Sequence, residues 1–329
     1  MFKSAQVYHL ARTPQGLPKT KDFELREVAL NPLQTDEVLV QNLYLSVDPY
    51  MRGRMRFMAP GSPLFGAAVG QVLDSKSAAL PEGTFVLSGR SWHSHFVDNA
   101  EALTPLDPNL APLPSYLGVM GMPGLTAWGG LLITGEYQSG ESLFVSAASG
   151  AVGNLVGQIA KLQGGHVIGS AGSDDKVESL IKDYGFDHAF NYKTANALAE
   201  LRSSAPEGID VYFENVGGAQ LEAALTHMRP YGRIPICGMI AHYNDDGEPT
   251  PGPRNLTETI YKFITLKGFV VSAFESERKK FQTQMAAWIQ SGDIRYEETV
   301  YEGLESTPDA FIALFNGGNK GKMLVKLEP

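Results

Sequence analysis

Residues 145–154 read VSAASGAVGN, in which an apolar strand runs into a cluster of small residues and then into a helical pattern. A dinucleotide-binding turn carries the spacing G-x-G-x-x-G between a strand and a helix. Here the three positions are Ala148, Gly150 and Gly153, so the first glycine is replaced. The second glycine lets backbone N–H groups approach a pyrophosphate, the third lets the helix pack closely on the sheet, and the helix amino terminus near Ala151 attracts the anion. The stretch therefore predicts a dinucleotide-binding turn, with a tight turn that binds no ligand as the alternative.

The sequence around this turn alternates between two kinds of segment. From about Pro123 onward, strand-like stretches are followed by helix-like ones, which is typical of a doubly wound parallel sheet. The predicted strands are 142–147, 166–171, 188–192, 210–216, 232–238 and 266–274, and the predicted helices are 151–163, 174–184, 195–203, 217–228, 255–264 and 276–291.

The first third of the chain has a different texture. Residues 37–45 (EVLVQNLYL) alternate apolar and polar side chains as a half-buried strand does, and prolines repeatedly interrupt helical patterns. The strand-like stretch MLVKLE at 323–328 is expected to rejoin this region. We therefore predict an α/β protein, with a β-rich domain at 1–122 and 300–329 and a Rossmann doubly wound parallel-sheet domain at 123–299.

The composition of the 329-residue chain argues against several classes of protein. Hydrophobic residues make up 43% and charged residues 19%, which is the balance of an ordinary globular protein. The net charge of −9 disfavours a nucleic-acid binder, whose field is usually basic. One cysteine, Cys237, allows no disulfide within the chain, and we find neither a secretory leader nor an apolar run long enough to span a bilayer. We expect a cytoplasmic protein with no nucleic-acid or membrane partner.

The end of the second predicted strand distinguishes NAD from NADP. An NAD site usually carries an acidic residue there for the ribose hydroxyls. This strand ends SAGS at 170–173 without an acid, and Lys176 follows, which suits a 2′-phosphate. Asp174 and Asp175 oppose this interpretation, although both also suit the start of a helix. The alternative for Lys176 is a solvated helix lysine.

Nine motifs, in order along the chain, carry a resemblance to a known family. They are VDPYMR (47–52), GMPGLTA (121–127), AASGAVG (147–153), GSDDK (172–176), FNYK (190–193), ENVGG (214–218), CGMIAHYN (237–244), PGPRNL (251–256) and GNKGKMLVK (318–326). Over essentially its whole length the chain resembles the NADPH-dependent alkenal/one reductases of the medium-chain dehydrogenase/reductase superfamily, which include prostaglandin, plant double-bond and curcumin reductases. The resemblance implies a GroES-like fold for the β-rich domain, a Rossmann domain, NADPH as cofactor, and a homodimer.

The resemblance also implies roles for individual residues. It places the pyrophosphate on the turn, the 2′-phosphate on a lysine and a tyrosine, and the nicotinamide near three later segments. The expected cofactor-binding residues are Ala151, Val152, Gly153 and Asn154 for the pyrophosphate, Lys176 and Tyr192 for the 2′-phosphate, Asn215 on the nicotinamide side, Cys237, Gly238, Met239, Ile240 and Tyr243 along the cofactor, Phe269, Val270 and Val271 flanking the nicotinamide, and Asn319 closing over the dinucleotide. Substrate is expected beside Tyr50, Tyr243 and Tyr261.

The same superfamily includes zinc alcohol dehydrogenases, so we asked whether this chain could bind zinc. Their catalytic zinc needs cysteine, histidine and acidic ligands, and their structural zinc needs four thiolates. This chain has a single cysteine. His93 and His95, in SWHSHF, share one face of a strand and make chelation conceivable, but a polar strand edge is the simpler interpretation. We predict no metal.

Reduction of an activated C=C bond needs no metal. The nicotinamide delivers hydride to the β-carbon of an α,β-unsaturated ketone or aldehyde, and the oxygen of the resulting enolate needs hydrogen-bond donors. Tyr261 is predicted to be one donor, and a hydroxyl of the cofactor ribose is predicted to be the other. Tyr261 lies in a predicted helix in which four apolar residues can face inward, namely Leu256, Ile260, Phe263 and Ile264. A core tyrosine with a locally bonded hydroxyl is the alternative. Because water can protonate the α-carbon, loss of Tyr261 is expected to slow the reaction without abolishing it.

Two other functions fit parts of the sequence. A quinone reductase of the same superfamily would share the 147–153 turn, and an NADPH-binding sensor or structural protein without turnover would keep the Rossmann residues but lose Tyr261. The physiological substrate stays open, because loops 53–65 and 243–255 set the size of the pocket.

The motif around Tyr50 adds candidate substrate contacts. Pro49 stiffens its turn, and three arginines at 52, 54 and 56 border either the substrate mouth or a plain exposed loop. Three methionines at 51, 55 and 58 offer an adaptable apolar wall, with ordinary packing as the alternative.

Overall fold

The structure is a computed structural model, which describes residues 3–245 and 251–328. The chain forms two compact units, Met1–Gly118 with Glu298–Pro329 and Val119–Glu297. The boundaries thus lie at 118/119 and 297/298, where the sequence suggested 122/123 and 299/300.

The strands of the first unit are β1 to β7, β14 and β15, and those of the second are β8 to β13. They are β1 Ser4–Leu10, β2 Phe23–Ala29, β3 Glu37–Ser46, β4 Ala68–Ser75, β5 Phe85–Ser88, β6 His95–Asn99, β7 Thr104–Pro105, β8 Ser142–Val145, β9 His166–Ala171, β10 His188–Asn191, β11 Ile209–Phe213, β12 Met228–Ile236, β13 Thr265–Gly268, β14 Glu298–Glu302 and β15 Lys322–Lys326.

The helices lie mostly in the second unit, where they alternate with its strands. They are α1 Tyr50–Met55, α2 Met122–Gly129, α3 Gly153–Leu162, α4 Asp174–Lys182, α5 Ala197–Ser204, α6 Gly218–His227, α7 Glu258–Tyr261, α8 Arg278–Ser291 and α9 Thr307–Phe315.

The second unit is built on a parallel sheet with the strand order β10-β9-β8-β11-β12-β13. β8 is buried along its whole length, because a parallel sheet carries helices on both faces. The chain turns from one half of the sheet to the other between β8 and β11, and ligands of such folds bind at the carboxyl ends of the strands beside this point. The predicted fold class is confirmed.

The first unit holds a two-stranded sheet, β1-β2, and a seven-stranded sheet in the order β14-β15-β3-β4-β5-β7 with β6 also paired to β3. One of its core clusters is organised around the indole of Trp92, which packs against the rings of Tyr8, Phe23 and Phe311. β15 pairs in parallel with β14 and antiparallel with β3. The 323–328 segment therefore joins the sheet of the first unit.

Residues 255–274 differ from the sequence prediction. The predicted helix 255–264 contracts to the single turn α7, and the predicted strand 266–274 ends at Gly268, before a 3-10 turn over Val271–Glu277. Phe263 adopts a left-handed φ of 55°, which ends the helical path.

The four residues expected to face inward from that helix also behave differently. Leu256, Ile260 and Phe263 are exposed, and Ile264 alone of the four is buried. The inward-facing prediction was wrong for three of them because β13, which follows directly, is the outermost strand of the sheet. The apolar pattern that sequence reasoning assigned to a core belongs to an open edge.

Candidate cofactor site

The turn after β8 has the close contacts that a dinucleotide-binding turn requires. The backbone N–H of Gly150 donates to the carbonyl of Ala147 at 3.0 Å, and that of Ala148 donates to the carbonyl of Ser170 on β9 at 2.8 Å. A Cβ added to Gly153 would lie 2.5 Å from the Ala147 carbonyl oxygen, whereas one added to Gly150 would lie 3.2 Å from it. The third glycine of the pattern is therefore needed for packing, and a side chain at the second would make a milder contact with the same oxygen.

The amino terminus of α3 begins at Gly153, two residues later than predicted. The first N–H groups of a helix have no partner within it, so this end is suited to an anion. Asn154 is buried, and its side chain accepts a hydrogen bond from Gln158. Its backbone N–H donates to the Gly150 carbonyl at 3.1 Å, so Asn154 ties the start of the helix to the turn.

The tip of β9 carries no acidic side chain at Ala171 or Gly172. β10 pairs with β9 so that Asn191 lies opposite Ala171, and Tyr192 then follows beside Gly172. The Tyr192 hydroxyl is 3.3 Å from the place that a Cβ of Gly172 would take, and Cε of Lys193 is 3.6 Å from it. The side chains of Tyr192 and Lys193 thus lie over a bare strand tip.

The acids that follow this tip are held by local hydrogen bonds. Asp174 accepts from the Asn191 amide at 2.7 Å, and Asp175 accepts from the Ser173 hydroxyl at 2.5 Å. Lys176, in the first turn of α4, is only 9% exposed. It is therefore not the solvated helix lysine that was the alternative interpretation.

Asn215 follows β11 and bonds directly to the end of β8. Its backbone N–H donates to the Ser146 hydroxyl at 3.0 Å, and its side-chain amide donates to the Ser146 carbonyl at 2.8 Å. The Ile240 N–H donates in turn to the Asn215 carbonyl at 3.1 Å. Asn215 therefore lies beside the turn and is hydrogen-bonded to the segment that follows β12.

The 237–243 segment lies along the same edge of the sheet. The hydroxyl of Tyr243 is 2.9 Å from the place that a Cβ of Gly238 would take, so this tyrosine folds back over the segment. Burial, with the nearby Glu214 carboxylate, raises the pKa of the Cys237 thiol to about 12, and burial raises the pKa of Tyr243. Both groups are neutral at physiological pH, so the segment offers hydrogen bonds and surface rather than charge. Residues 246–250 of the predicted 243–255 loop lie outside the described residues.

β13 is followed directly by the three residues predicted to flank the nicotinamide, Phe269, Val270 and Val271. The ring of Phe269 packs against Phe213 at 6.0 Å and Phe274 at 5.4 Å between centroids, while Val270 is exposed. Tyr261 ends α7 with 81% of its surface exposed. Its hydroxyl is accessible, and the alternative of a core tyrosine is excluded.

The first unit contains the remaining predicted residues. Tyr50 begins α1, and burial together with Asp48 raises the pKa of its phenol. The guanidinium of Arg54 lies 5.3 Å from the centroids of both the Tyr50 and the Phe65 rings. Asn319 donates to the Gly321 carbonyl at 2.8 Å. Arg54 thus forms a cation–π contact with Tyr50 on this unit.

The prediction that the arginines at 52, 54 and 56 border the substrate mouth or an exposed loop is wrong for Arg52. It is almost fully buried and donates to the carbonyls of Pro14 and Gly16 at 3.0 Å each, so it anchors the chain rather than facing solvent. The methionines at 51, 55 and 58 line a small pocket with Arg54 and Phe65.

Metal ligands do not cluster in the structure. Across residues 3–245 and 251–328, no three histidine, cysteine or acidic side chains are placed to hold an ion together. His93 is buried with Nδ1 on the Ser91 carbonyl at 2.8 Å, and His95 contacts the Ser94 hydroxyl at 3.1 Å.

Similarity to known proteins agrees with this geometry. Residues 6–106 match the family described as the N-terminal domain of oxidoreductase, and residues 151–291 match the family described as zinc-binding dehydrogenase. Prostaglandin reductase 1 of Bos taurus is 47% identical over 327 residues, covering 98% of this chain and 99% of that protein. The NADP(+)-dependent 2-alkenal reductase of Nicotiana tabacum is 44% identical and covers 94% of each chain. The chain belongs to the NADP-dependent alkenal/one reductase family.

A solved structure extends the relationship to the fold. CurA of Vibrio vulnificus in complex with NADPH is 36% identical to this reductase and superimposes with a TM-score of 0.92, covering 98% of this chain and 99% of that one. The predicted family and the class of NADP-dependent oxidoreductase are confirmed. No helix in the described part of the reductase is long and apolar enough to cross a membrane.

Sequence reasoning missed three residues of the candidate cofactor site. Lys193 belongs to the FNYK motif but was given no role, although it lies beside Tyr192. Ser146 and Glu214 were missed because their importance depends on β8 and β11 being neighbours, which the order along the chain does not reveal. The one available signal was the acid in ENVGG, at the carboxyl end of a buried strand.

Proposed function

We propose that this reductase uses NADPH to reduce the C=C bond of α,β-unsaturated ketones and aldehydes. The observation that carries the proposal is the acid-free tip of β9, covered by Tyr192 and followed by the buried Lys176, beside the glycine-bearing turn that leads into α3. Prostaglandin reductase 1 and a 2-alkenal reductase, which share almost half of its residues, support the same reaction class. NADPH, when bound, supplies the hydride for the β-carbon of the substrate.

The cofactor residues divide by the part of the dinucleotide that they hold. The backbone of 151–154 binds the pyrophosphate, and Lys176 and Tyr192 bind the 2′-phosphate. Asn215, the 237–243 segment, residues 269–271 and Asn319 contact the remainder, as the family resemblance implies.

The substrate oxygen requires donors when negative charge develops on it. Tyr261 supplies one through its exposed phenol, and Tyr50 and Tyr243 bind the substrate. Water then protonates the α-carbon when Tyr261 is absent.

The reaction proceeds without a metal ion. The family description of zinc-binding dehydrogenase covers residues 151–291, but the zinc sites of that superfamily need several cysteines and this chain has only Cys237.

The enzyme is a cytoplasmic homodimer in this proposal. β13 is the outermost strand of the parallel sheet and leaves one edge open for pairing. Apolar side chains are exposed around it, namely Tyr231, Leu256, Ile260, Phe263 and Val270. Exposed apolar side chains next to an open strand are suited to a second copy of the chain.

The experiment uses chelator-treated enzyme, NADPH or NADH, and a panel of enones, enals and quinones. Loss of the reduced cofactor's absorbance is followed, and the products are identified. We expect turnover with NADPH, weak turnover with NADH, and a saturated ketone or aldehyde as product. Reduction of quinones alone would favour the quinone-reductase alternative, and tight NADPH binding without turnover would favour a sensor.

A further inference from the structure

One buried carboxylate collects hydrogen bonds at the carboxyl edge of the parallel sheet. Glu214 directly follows β11 and has no solvent-exposed surface. Its Oε1 atom accepts from the Tyr212 hydroxyl at 2.7 Å and the Ser146 hydroxyl at 3.2 Å. It also accepts from the backbone N–H groups of Val216 at 2.6 Å and Gly217 at 2.8 Å. Four donors from two neighbouring segments therefore meet at one oxygen.

The backbone of Glu214 joins a third segment to the same point. Its N–H donates to the Pro235 carbonyl on β12 at 3.0 Å. Its carbonyl accepts from the N–H groups of Cys237 at 2.9 Å and Gly238 at 3.2 Å. Glu214 thus bonds to the ends of β8, β11 and β12 at once.

The three strand ends lead into segments that were assigned to the cofactor. Ser146 is the last residue before the turn at 147–153, Asn215 follows Glu214, and 237–243 follows β12. The second carboxylate oxygen, Oε2, is buried without a hydrogen-bond partner in the described part of the chain. Burial without a bonded cation is costly for a carboxylate, and it raises the pKa of Glu214. A cost of this kind needs a compensating structural role.

We propose that Glu214 is a positioning residue that holds these three loops in the shape that receives the nicotinamide half of NADPH. The inference rests on the proposed function. Glu214 acts through Ser146, Asn215 and the 237–238 backbone, whose positions its carboxylate and carbonyl fix. The adenosine half depends instead on the tip of β9, to which Glu214 makes no hydrogen bond among the described residues.

The test compares two ligands that differ by the nicotinamide half. NADPH and adenosine 2′,5′-bisphosphate are titrated by calorimetry into the wild-type chain and into Glu214→Ala. We expect the Kd of NADPH to rise about tenfold or more, which corresponds to ~1.4 kcal/mol, while the Kd of the bisphosphate changes by less than about twofold. Glu214→Gln keeps an acceptor oxygen for the backbone donors, so it should recover most of the NADPH affinity.

A matched control lies on the same strand. Asp210, at the amino end of β11, accepts from the Ser142 N–H at 2.8 Å and pairs with Arg229. Asp210→Asn alters a partly exposed, ion-paired carboxylate on the same strand at the opposite edge of the sheet, and it should leave both affinities unchanged. Ser146→Ala, which removes one hydroxyl and strands no charge, carries the test if Glu214→Ala does not fold, and it should weaken NADPH more than the bisphosphate.

The outcomes separate the inference from the function on which it rests. Equal weakening of both ligands in the Glu214 and Ser146 variants would show general damage to the unit and overturn the positioning role, as would unchanged NADPH binding. NADH is titrated into the wild-type chain as a third ligand. If the wild-type chain binds neither NADPH nor the bisphosphate more tightly than NADH, the proposed function itself is overturned.

Discussion

The end of β9 is the part of the proposed cofactor site at which single side chains would distinguish NADPH from NADH. A 2′-phosphate carries close to two negative charges at neutral pH, and a ribose hydroxyl carries none. The bare tip at Gly172, with Tyr192 over it and Lys176 buried in the first turn of α4, is suited to the charged form. Lys176 could be found from the sequence, because it follows the predicted strand 166–171 by a few positions, whereas Tyr192 ends the predicted strand 188–192 and was assigned through the family resemblance.

Replacing Lys176 by methionine should therefore remove the preference for NADPH. The Kd of NADPH is expected to rise about 10- to 100-fold, because a charge-assisted hydrogen bond contributes roughly 1.5–3 kcal/mol, while the Kd of NADH changes little. Fluorescence titration of both cofactors measures the change. Lys182→Met is the matched control, since that lysine ends the same helix and pairs with Glu178 on the surface. Equal losses for NADPH and NADH would contradict the assignment.

His93 predicts a pH effect on the first unit. Burial, with Arg90 and His9 nearby, lowers its pKa to about 4, although its hydrogen bond to the Ser91 carbonyl acts in the opposite direction. An unfolded histidine titrates near 6.5, so between about pH 6.5 and 4 the unfolded chain binds a proton that the folded chain does not. The free energy of unfolding should fall by up to about 3 kcal/mol as pH falls through this window, and the effect is absent above it.

The measurement is urea unfolding of the wild type and of His93→Gln at several pH values. The variant should lose this part of the pH dependence between about pH 6.5 and 4. Parallel curves for the two proteins would rule out His93 as its source.

At the scale of elements, the turn between β8 and α3 was predictable because its requirements are local. A backbone that bends sharply into a helix leaves no room for a Cβ, and the glycine spacing records this directly. The absent first glycine is compatible with the same turn, because Ala148 is buried and its N–H bonds to Ser170 on the next strand.

Two alanine substitutions distinguish the roles of the turn glycines. Gly153→Ala places a Cβ 2.5 Å from the Ala147 carbonyl, and we expect a loss of roughly 1–3 kcal/mol in the free energy of unfolding from overpacking. Gly150→Ala meets the same oxygen at 3.2 Å, so its effect on stability should be smaller. Denaturant unfolding checks the order, and an equal or reversed order would show that backbone shifts absorb the clash.

The segments around β13 were predicted poorly for a physical reason. Apolar spacing over 255–264 fits an amphipathic helix, but periodicity cannot tell a surface that faces the chain's own core from one that faces outward. Leu256, Ile260 and Phe263 are of the second kind. Glu214 is the opposite case, since an acid in an apolar strand pattern becomes meaningful only when its neighbours in the sheet are known.

At the scale of the whole molecule, the exposed apolar edge should decide the association state. Phe263 stacks on Tyr231 with 5.1 Å between ring centroids and has a left-handed backbone, which aspartate tolerates better than most residues. Phe263→Asp should convert a dimer to a monomer without unfolding it, because the substitution charges the surface and leaves the backbone unstrained. Light scattering after size exclusion measures the mass.

The control for this substitution is Phe57→Asp. Phe57 is also a strongly exposed aromatic residue, but it belongs to the first unit, whereas β13 belongs to the second. It should leave the dimer intact. A monomeric wild type, or a dimer that survives Phe263→Asp, would refute this interface.

The path of the chain through the first unit determines the order in which the two units can fold during translation. The 119–297 unit is one continuous stretch, so it can fold as soon as it emerges. β3, made much earlier, must wait for β15 to occupy the place between it and β14. Throughout that interval the edge of β3 in the nascent chain is unpaired, and chaperones that shield strand edges would bind there. A late stop codon would thus damage the domain that was translated first.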